Sequence, residues 1–166
     1  AENAAVLIGT QAINQNNFAD LRALANLAAE LSGSKLGYLS EGGNAAGAWL
    51  AGVVPHRGAA GVDSAYGKTA ADMSVGGMNA LVLLGIEPEF DCAKPANALI
   101  AVKEADFVIS MNSFVTEAMK EYADVLLPVT PYTETSGTYV NVEGNWQSFA
   151  GSVNPMGDAR DRKSVV

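Results

Sequence analysis

An α/β fold built on a parallel sheet is what this sequence predicts, and three observations predict it. Short apolar runs recur, each closed by Gly or Pro, as in Ala4–Ile8 before Gly9, Ala80–Leu84 before Gly85 and Val125–Leu127 before Pro128. Strands buried on both faces read as such continuous runs rather than as an alternation. Between the runs lie stretches with helical spacing, and strand–helix–strand alternation argues for parallel pairing through crossover connections. The composition agrees: 49% hydrophobic, 17% charged, 17 Gly but only 5 Phe, 5 Tyr and 2 Trp. Small apolar residues suit close helix-on-sheet packing, and the chain is too apolar for a disordered one.

The elements follow in order. After the strand at 4–8 and a polar loop at 14–17, Asn17 is placed to cap a helix, with Asp20 in the capping-box position. Phe18, Leu21, Leu24, Ala25, Ala28 and Leu31 form one apolar stripe along that helix, and Gly33 ends it. Leu36–Leu39 is the next strand. From Ser40 to Met78 no period holds: a glycine loop at 41–44 precedes a short helix at 45–51, and 55–67 is an irregular excursion. A strand at 80–85 leads through a loop at 86–94 to a helix at 95–105, with Pro95 in its first turn. A strand at 107–109, a short helix at 116–122 and a last parallel strand at 125–127 complete a Rossmann-like sheet with helices on both faces. Thr138–Val142 and Trp146–Phe149 flank the turn signal Glu143-Gly144-Asn145 and give a short hairpin-like tail. One α/β domain over 1–150 is expected, with 151–166 a tail or the start of a further segment. A start at Ala1 rather than Met leads us to expect a piece of a longer polypeptide.

Charge and chemistry exclude several functions. A net charge of −8 repels phosphate backbones, so no nucleic-acid partner is expected. The basic residues are dispersed except for Arg160, Arg162 and Lys163. No apolar run approaches the ~20 residues needed to span a bilayer, so no direct membrane insertion is expected. Cys92 is the only cysteine, which removes any internal disulfide and any Cys-ligated cluster held by this chain alone, and suits a reducing compartment. His56 is the only histidine, so no Ser-His-Asp, Cys-His or His-based metal site can be assembled. Gly67-Lys68-Thr69 looks like the end of a phosphate loop, but Val62 stands where its first glycine should. Gly42-Gly43-Asn44-Ala45-Ala46-Gly47 follows a strand without being G-x-G-x-x-G. No catalytic residue and no metal ligand set are expected.

One run is specific. Ala123-Asp124-Val125-Leu126-Leu127-Pro128 is followed by Glu134, Gly137-Thr138, Asn141, Glu143-Gly144 and Gln147. This pattern resembles the signature near the end of the cofactor-binding α/β domain in the molybdopterin oxidoreductase family. Upstream, Leu83-Leu84-Gly85-Ile86-Glu87-Pro88 resembles that family's G-x-N-P element, with Glu87 where Asn often stands. Asn112-Ser113-Phe114-Val115-Thr116-Glu117 resembles its D-x-F-x-T-E segment, with Asn112 in place of Asp. The resemblance implies a vestigial pterin-dinucleotide cleft at Gly85, Glu87, Pro88, Asn112 and Thr116. An acidic Glu87 repels pyrophosphate, and Asn112 lacks the double acceptor that Asp offers to guanine N–H groups.

Within the family, 135–141 and 147–149 are most similar to the large iron–sulfur subunits of bacterial NADH:quinone oxidoreductase, respiratory complex I. That branch implies a non-catalytic structural domain that supports electron transfer from NADH to quinone. It implies no cofactor in this segment, with iron–sulfur clusters in a missing N-terminal part of the parent subunit. Its partners would be the other subunits of the peripheral arm, at the cytoplasmic face of the bacterial inner membrane. The alternatives are a molybdopterin guanine dinucleotide-binding fragment of a formate-dehydrogenase-like enzyme, or a stand-alone flavodoxin-like nucleotide module. Asp124 and Glu134 are expected to accept backbone hydrogen bonds. Thr138, Asn141 and Gln147 are expected to tie the hairpin to the sheet.

Overall fold

The computed structural model describes residues 3–161, and by its internal contacts the chain forms two compact units. Arg162, Lys163 and the closing Val165-Val166 lie outside the described residues. Among the described residues no helix is long and apolar enough to cross a membrane.

The first unit comprises the chain up to Val53, the short 59–61 turn and residues 139–147. Strand β1 (Ala5–Ile8) is followed by the single-turn helix α1 (Thr10–Ile13) and by α2 (Phe18–Ser32). Strand β2 (Lys35–Tyr38) then pairs parallel with β1, Ala5 opposite Lys35 and Ile8 opposite Tyr38. The end of α2 is closed by Gly33 at φ +65°, where the amides of Gly33 and Ser34 donate to the carbonyls of Glu30 and Ala29. This is the Schellman arrangement, and only glycine takes that φ without strain.

Two expectations for α2 are corrected. Asn17 precedes the helix but its side chain makes no capping bond. Its backbone, at ψ 28°, is turn-like because the amide of Phe18 is already taken by Gln15, so the extended geometry of a capping residue is lost. The apolar stripe is also only half covered: Phe18, Leu21 and Ala25 are half-buried, whereas Leu24 and Leu31 are 63% and 81% exposed. Within this unit α2 packs on a two-stranded sheet, which is too narrow to cover a whole helical face. Helix α3 (Ala45–Leu50) ends this part of the chain.

The second unit opens with an irregular stretch in which Arg57 pairs with Asp63. Helix α4 (Ala70–Met73), which has no apolar period to announce it, is held by a capping box between Thr69 and Asp72. Strand β3 (Ala80–Leu84), helix α5 (Pro88–Asp91), helix α6 (Pro95–Glu104), strand β4 (Phe107–Asn112), helix α7 (Glu117–Tyr122) and strand β5 (Val125–Pro128) follow. The expected loop at 86–94 therefore contains one helical turn, entered at Pro88, whose fixed φ suits a first helical position. The three strands form a parallel sheet in the order β3–β4–β5, with Ala80 opposite Phe107 and Ile109 opposite Val125.

The core of this unit gathers Leu83, Val102, Val108, Met119 and Tyr122. The chain then returns beside β5: the amide of Thr130 donates to Arg160 and the amide of Arg160 to Pro128. Strands β6 (Gly137–Val140) and β7 (Trp146–Phe149) make the closing hairpin.

The fold is thus α/β with parallel sheets flanked by helices and a terminal hairpin. The expected single sheet is in fact two parallel sheets, of two and three strands. Roughly forty residues separate β2 from β3, in place of the short crossover that makes consecutive strands neighbours.

Candidate functional site

In the second unit the parallel strands deliver their following loops to one edge, where open α/β sheets hold ligands. Gly85 leaves β3 at φ +62°, and its amide donates to Met111 of the neighbouring strand at 2.8 Å. A side chain at Gly85 would be strained by that φ, which gives this motif glycine a structural duty. Glu87 caps α5 through its backbone, its amide donating to the Asp91 carboxylate at 2.7 Å. Pro88 is completely buried beneath it.

Asn112 ends β4 opposite Pro128. Its Oδ1 accepts the amide of Ser113 at 2.7 Å, and its carbonyl accepts the amide of Val129 at 3.1 Å. Thr116 caps α7, its hydroxyl oxygen accepting the Met119 amide at 3.2 Å. Parallel pairing brings Gly85 and Asn112 to the same sheet edge, with Glu87, Pro88 and Thr116 in the loops and caps that follow them.

Among the described residues, three buried polar atoms of this unit carry no hydrogen bond. Tyr122 is buried and its hydroxyl has no hydrogen-bond partner, and Glu89 Oε2 and Ser110 Oγ are likewise buried and unpartnered. Burial pushes the Tyr122 phenol up to about 12, with the nearby carboxylates of Glu89 and then Glu87 adding to the rise. Nothing in the one-dimensional pattern signals this cluster, because Tyr122 looks like an ordinary core position of a short helix. Among the described residues no group of acidic, His and Cys side chains is arranged to hold a metal ion.

The signature residues form hydrogen bonds at short range. Asp124 Oδ2 accepts the amide of Val108 at 2.7 Å, while the amide of Asp124 donates back to the Val108 carbonyl at 2.9 Å. Glu134 Oε2 accepts the amide of Met156 at 3.3 Å. The hydroxyl of Thr138 meets that of Ser148 across the hairpin at 2.9 Å. Asn141 Oδ1 accepts the amides of Glu143 and Asn145, both at 3.0 Å, and Glu143 Oε2 accepts the Asn145 side-chain amide. Gly144 turns the chain at φ +84°. At Gly137 a Cβ would come within 3.0 Å of the Phe149 ring.

The expected ties from the hairpin to the sheet are corrected accordingly. Thr138 bonds across to the opposite strand and Asn141 within its own turn, and the Gln147 side chain has no hydrogen bond among the described residues.

The first unit explains the glycine run at 42–47 without any ligand. Asn44 Oδ1 accepts the amide of the buried Val140 at 2.9 Å, from ninety-six positions away in the chain. The Asn44 side chain lies against Gly47, where any Cβ would overlap its amide oxygen. Gly47 is therefore a close-approach glycine serving a structural tether.

These strand-end loops and the closing hairpin define an α/β domain of parallel strands flanked by helices. The molybdopterin oxidoreductase family model matches residues 1–166, and the chain belongs to that family. It is 34% identical over 111 residues to an NADH-quinone oxidoreductase subunit of Streptomyces coelicolor, covering 64% of this chain and 12% of that protein. To the corresponding NADH-quinone oxidoreductase subunit of Mycobacterium bovis it is 41% identical over 70 residues, covering 42% of this chain and 8% of that protein. To the alpha subunit of the F420-dependent formate dehydrogenase of Methanocaldococcus jannaschii it is 36% identical over 66 residues, covering 40% and 10%. The chain thus matches 12% or less of the length of these relatives, all of them named as oxidoreductase subunits.

Proposed function

We propose that this chain is a non-catalytic structural domain within the NADH:quinone oxidoreductase subunit that carries iron–sulfur clusters elsewhere in its polypeptide. On this reading it supports electron transfer from NADH to quinone without taking part in the chemistry. One observation carries the proposal: at the expected pterin edge Asn112 Oδ1, the Thr116 hydroxyl oxygen and the Glu87 amide already bond within the chain. Asn112 Oδ1 is spent on Ser113, the Thr116 hydroxyl oxygen on Met119, and the Glu87 amide on Asp91.

Three acidic residues, Glu87, Glu89 and Asp91, also stand in the loop and helix after β3. A phosphate ~5 Å from one carboxylate is repelled by about 3 kcal/mol at an effective dielectric constant of ~20. These residues do not fit a pyrophosphate-bearing dinucleotide. The segment carries no cofactor of its own, and the iron–sulfur clusters belong to other parts of the parent subunit. Its partners are the other subunits of the peripheral arm, at the cytoplasmic face of the bacterial inner membrane, a reading supported by relatives that are themselves named as subunits.

The similarity to a formate dehydrogenase subunit favours a second reading, in which the edge holds molybdopterin guanine dinucleotide. A thermal-shift titration with guanine nucleotides and with the pterin dinucleotide separates the two. The structural reading expects no shift. Stabilisation approaching ~2.7 kcal/mol at a hundredfold excess over the dissociation constant overturns it. Affinity purification of the tagged parent polypeptide, followed by assay for NADH:quinone activity, tests the assignment to the complex.

A further inference from the structure

The first unit contains a cleft of about 550 Å³. Its volume lies within the ~300–1,000 Å³ typical of small-molecule sites. It opens at the carboxyl ends of β1 and β2, the position where parallel α/β units present ligands. Its walls are mostly apolar and include the rings of Phe18, Tyr38 and Trp49, with Ala46 on α3 between them in sequence and small enough to leave room.

Three residues with polar side chains line the same cleft: Arg22, Tyr38 and Ser40. None of the three makes an ion pair or side-chain hydrogen bond among the described residues. Arg22 stands four residues after Phe18, so the cation and an aromatic ring share one face of α2.

The chemistry of this lining selects a ligand. Aromatic walls favour a flat ring system, which they stack or meet edge-on. A guanidinium fork with no acidic partner matches a carboxylate through two parallel hydrogen bonds, and the two hydroxyls can donate to the same oxygens. One cation balances one negative charge. The whole chain carries a net charge of −8, which disfavours multiply charged anions such as nucleotide phosphates.

We propose that this cleft binds a planar aromatic monocarboxylate, its ring against Trp49 and Tyr38 and its carboxylate on Arg22. The inference does not depend on the reading of the second unit, and it holds or fails whichever oxidoreductase the parent polypeptide belongs to.

The test uses this chain, nitrogen-15 labelled, titrated with naphthalene-2-carboxylate and with the uncharged 2-naphthylmethanol. The expected result is saturable chemical-shift change confined to the cleft, including the Trp49 indole N–H, with the carboxylate binding more tightly than the alcohol. Arg22→Gln should weaken the carboxylate on the order of tenfold and leave the alcohol unchanged. Ala46→Phe, which fills the cleft, should abolish both. Because Arg22 is exposed, its substitution leaves the fold intact even if Ala46→Phe does not. Absence of saturable shifts up to about 10 mM, where millimolar binding would be visible, overturns the proposal. Equal affinity of the carboxylate for the parent chain and Arg22→Gln overturns it as well.

Discussion

Replacing Tyr122 by Phe removes one hydroxyl group and nothing else from the core of the second unit. The ring keeps its place with Leu83, Val102, Val108 and Met119. The hydroxyl is buried without a partner, so the folded state bears the loss of its hydration with no compensating bond. Leaving such a group unsatisfied costs about 1–3 kcal/mol. Tyr122→Phe should therefore stabilise the chain by about 1 kcal/mol at neutral pH, against the usual trend for core substitutions.

The pH dependence provides an independent check. The phenol is raised in the folded state from 10.0 to about 12, so its neutral form is the one the fold favours. Its contribution is fully present below pH 10 and is lost as pH rises from 10 through 12. The advantage of Phe over Tyr should thus widen across that window. Urea unfolding followed by circular dichroism at pH 7, 9 and 10.5 measures both effects. A loss of 1 kcal/mol or more in Tyr122→Phe at pH 7 would refute the reasoning, because it would mean the hydroxyl makes a bond that matters.

Other substitutions probe the rest of the molecule. Asp124→Ala leaves the amide of Val108 buried and unpaired, and should cost about 2 kcal/mol in a denaturation midpoint analysis; an unchanged midpoint would show that Asp124 does not hold β4. Gly47→Ala forces Asn44 off Val140, so it should destabilise by at least as much as Asn44→Ala, about 1–2 kcal/mol, and the double variant should cost less than the sum. Additive losses would show the two residues to be independent. Hydrogen bonds from the Thr69 hydroxyl and amide hold the Asp72 carboxyl below its ordinary value of 3.8, so the capping box stabilises α4 above the ordinary carboxylate range and is lost as pH falls through the depressed value. A carbon-13 titration of Asp72 should move upward in Thr69→Ala, and an unmoved titration would contradict the box.

Much of the backbone was legible because its signals are local. The runs at 80–84, 107–109 and 125–127 fall within β3, β4 and β5, and Gly33, Pro95 and Thr116 mark helix ends by conformational and capping rules that act over a few residues. The run from Asp124 to Gly144 was legible for another reason: Asp124, Glu134, Thr138 and Asn141 hold hydrogen bonds and Gly144 a tight turn. Asn17 misled, because a capping residue type does not guarantee the extended backbone a cap requires. The stripe on α2 misled as well. Periodicity reports which face of a helix is apolar, but not how much of that face a partner covers.

By itself the sequence determined the fold class, the parallel strand runs and the family signature, all of which depend on side-chain pattern and neighbouring φ/ψ. Only the tertiary structure decided which strands pair, why Gly47 must be glycine, and that Tyr122 and Glu89 bury unpartnered polar atoms. The reason is that these depend on groups far apart in the chain meeting in space. A tether across ninety-six residues or a desolvated hydroxyl leaves no periodic trace along the chain.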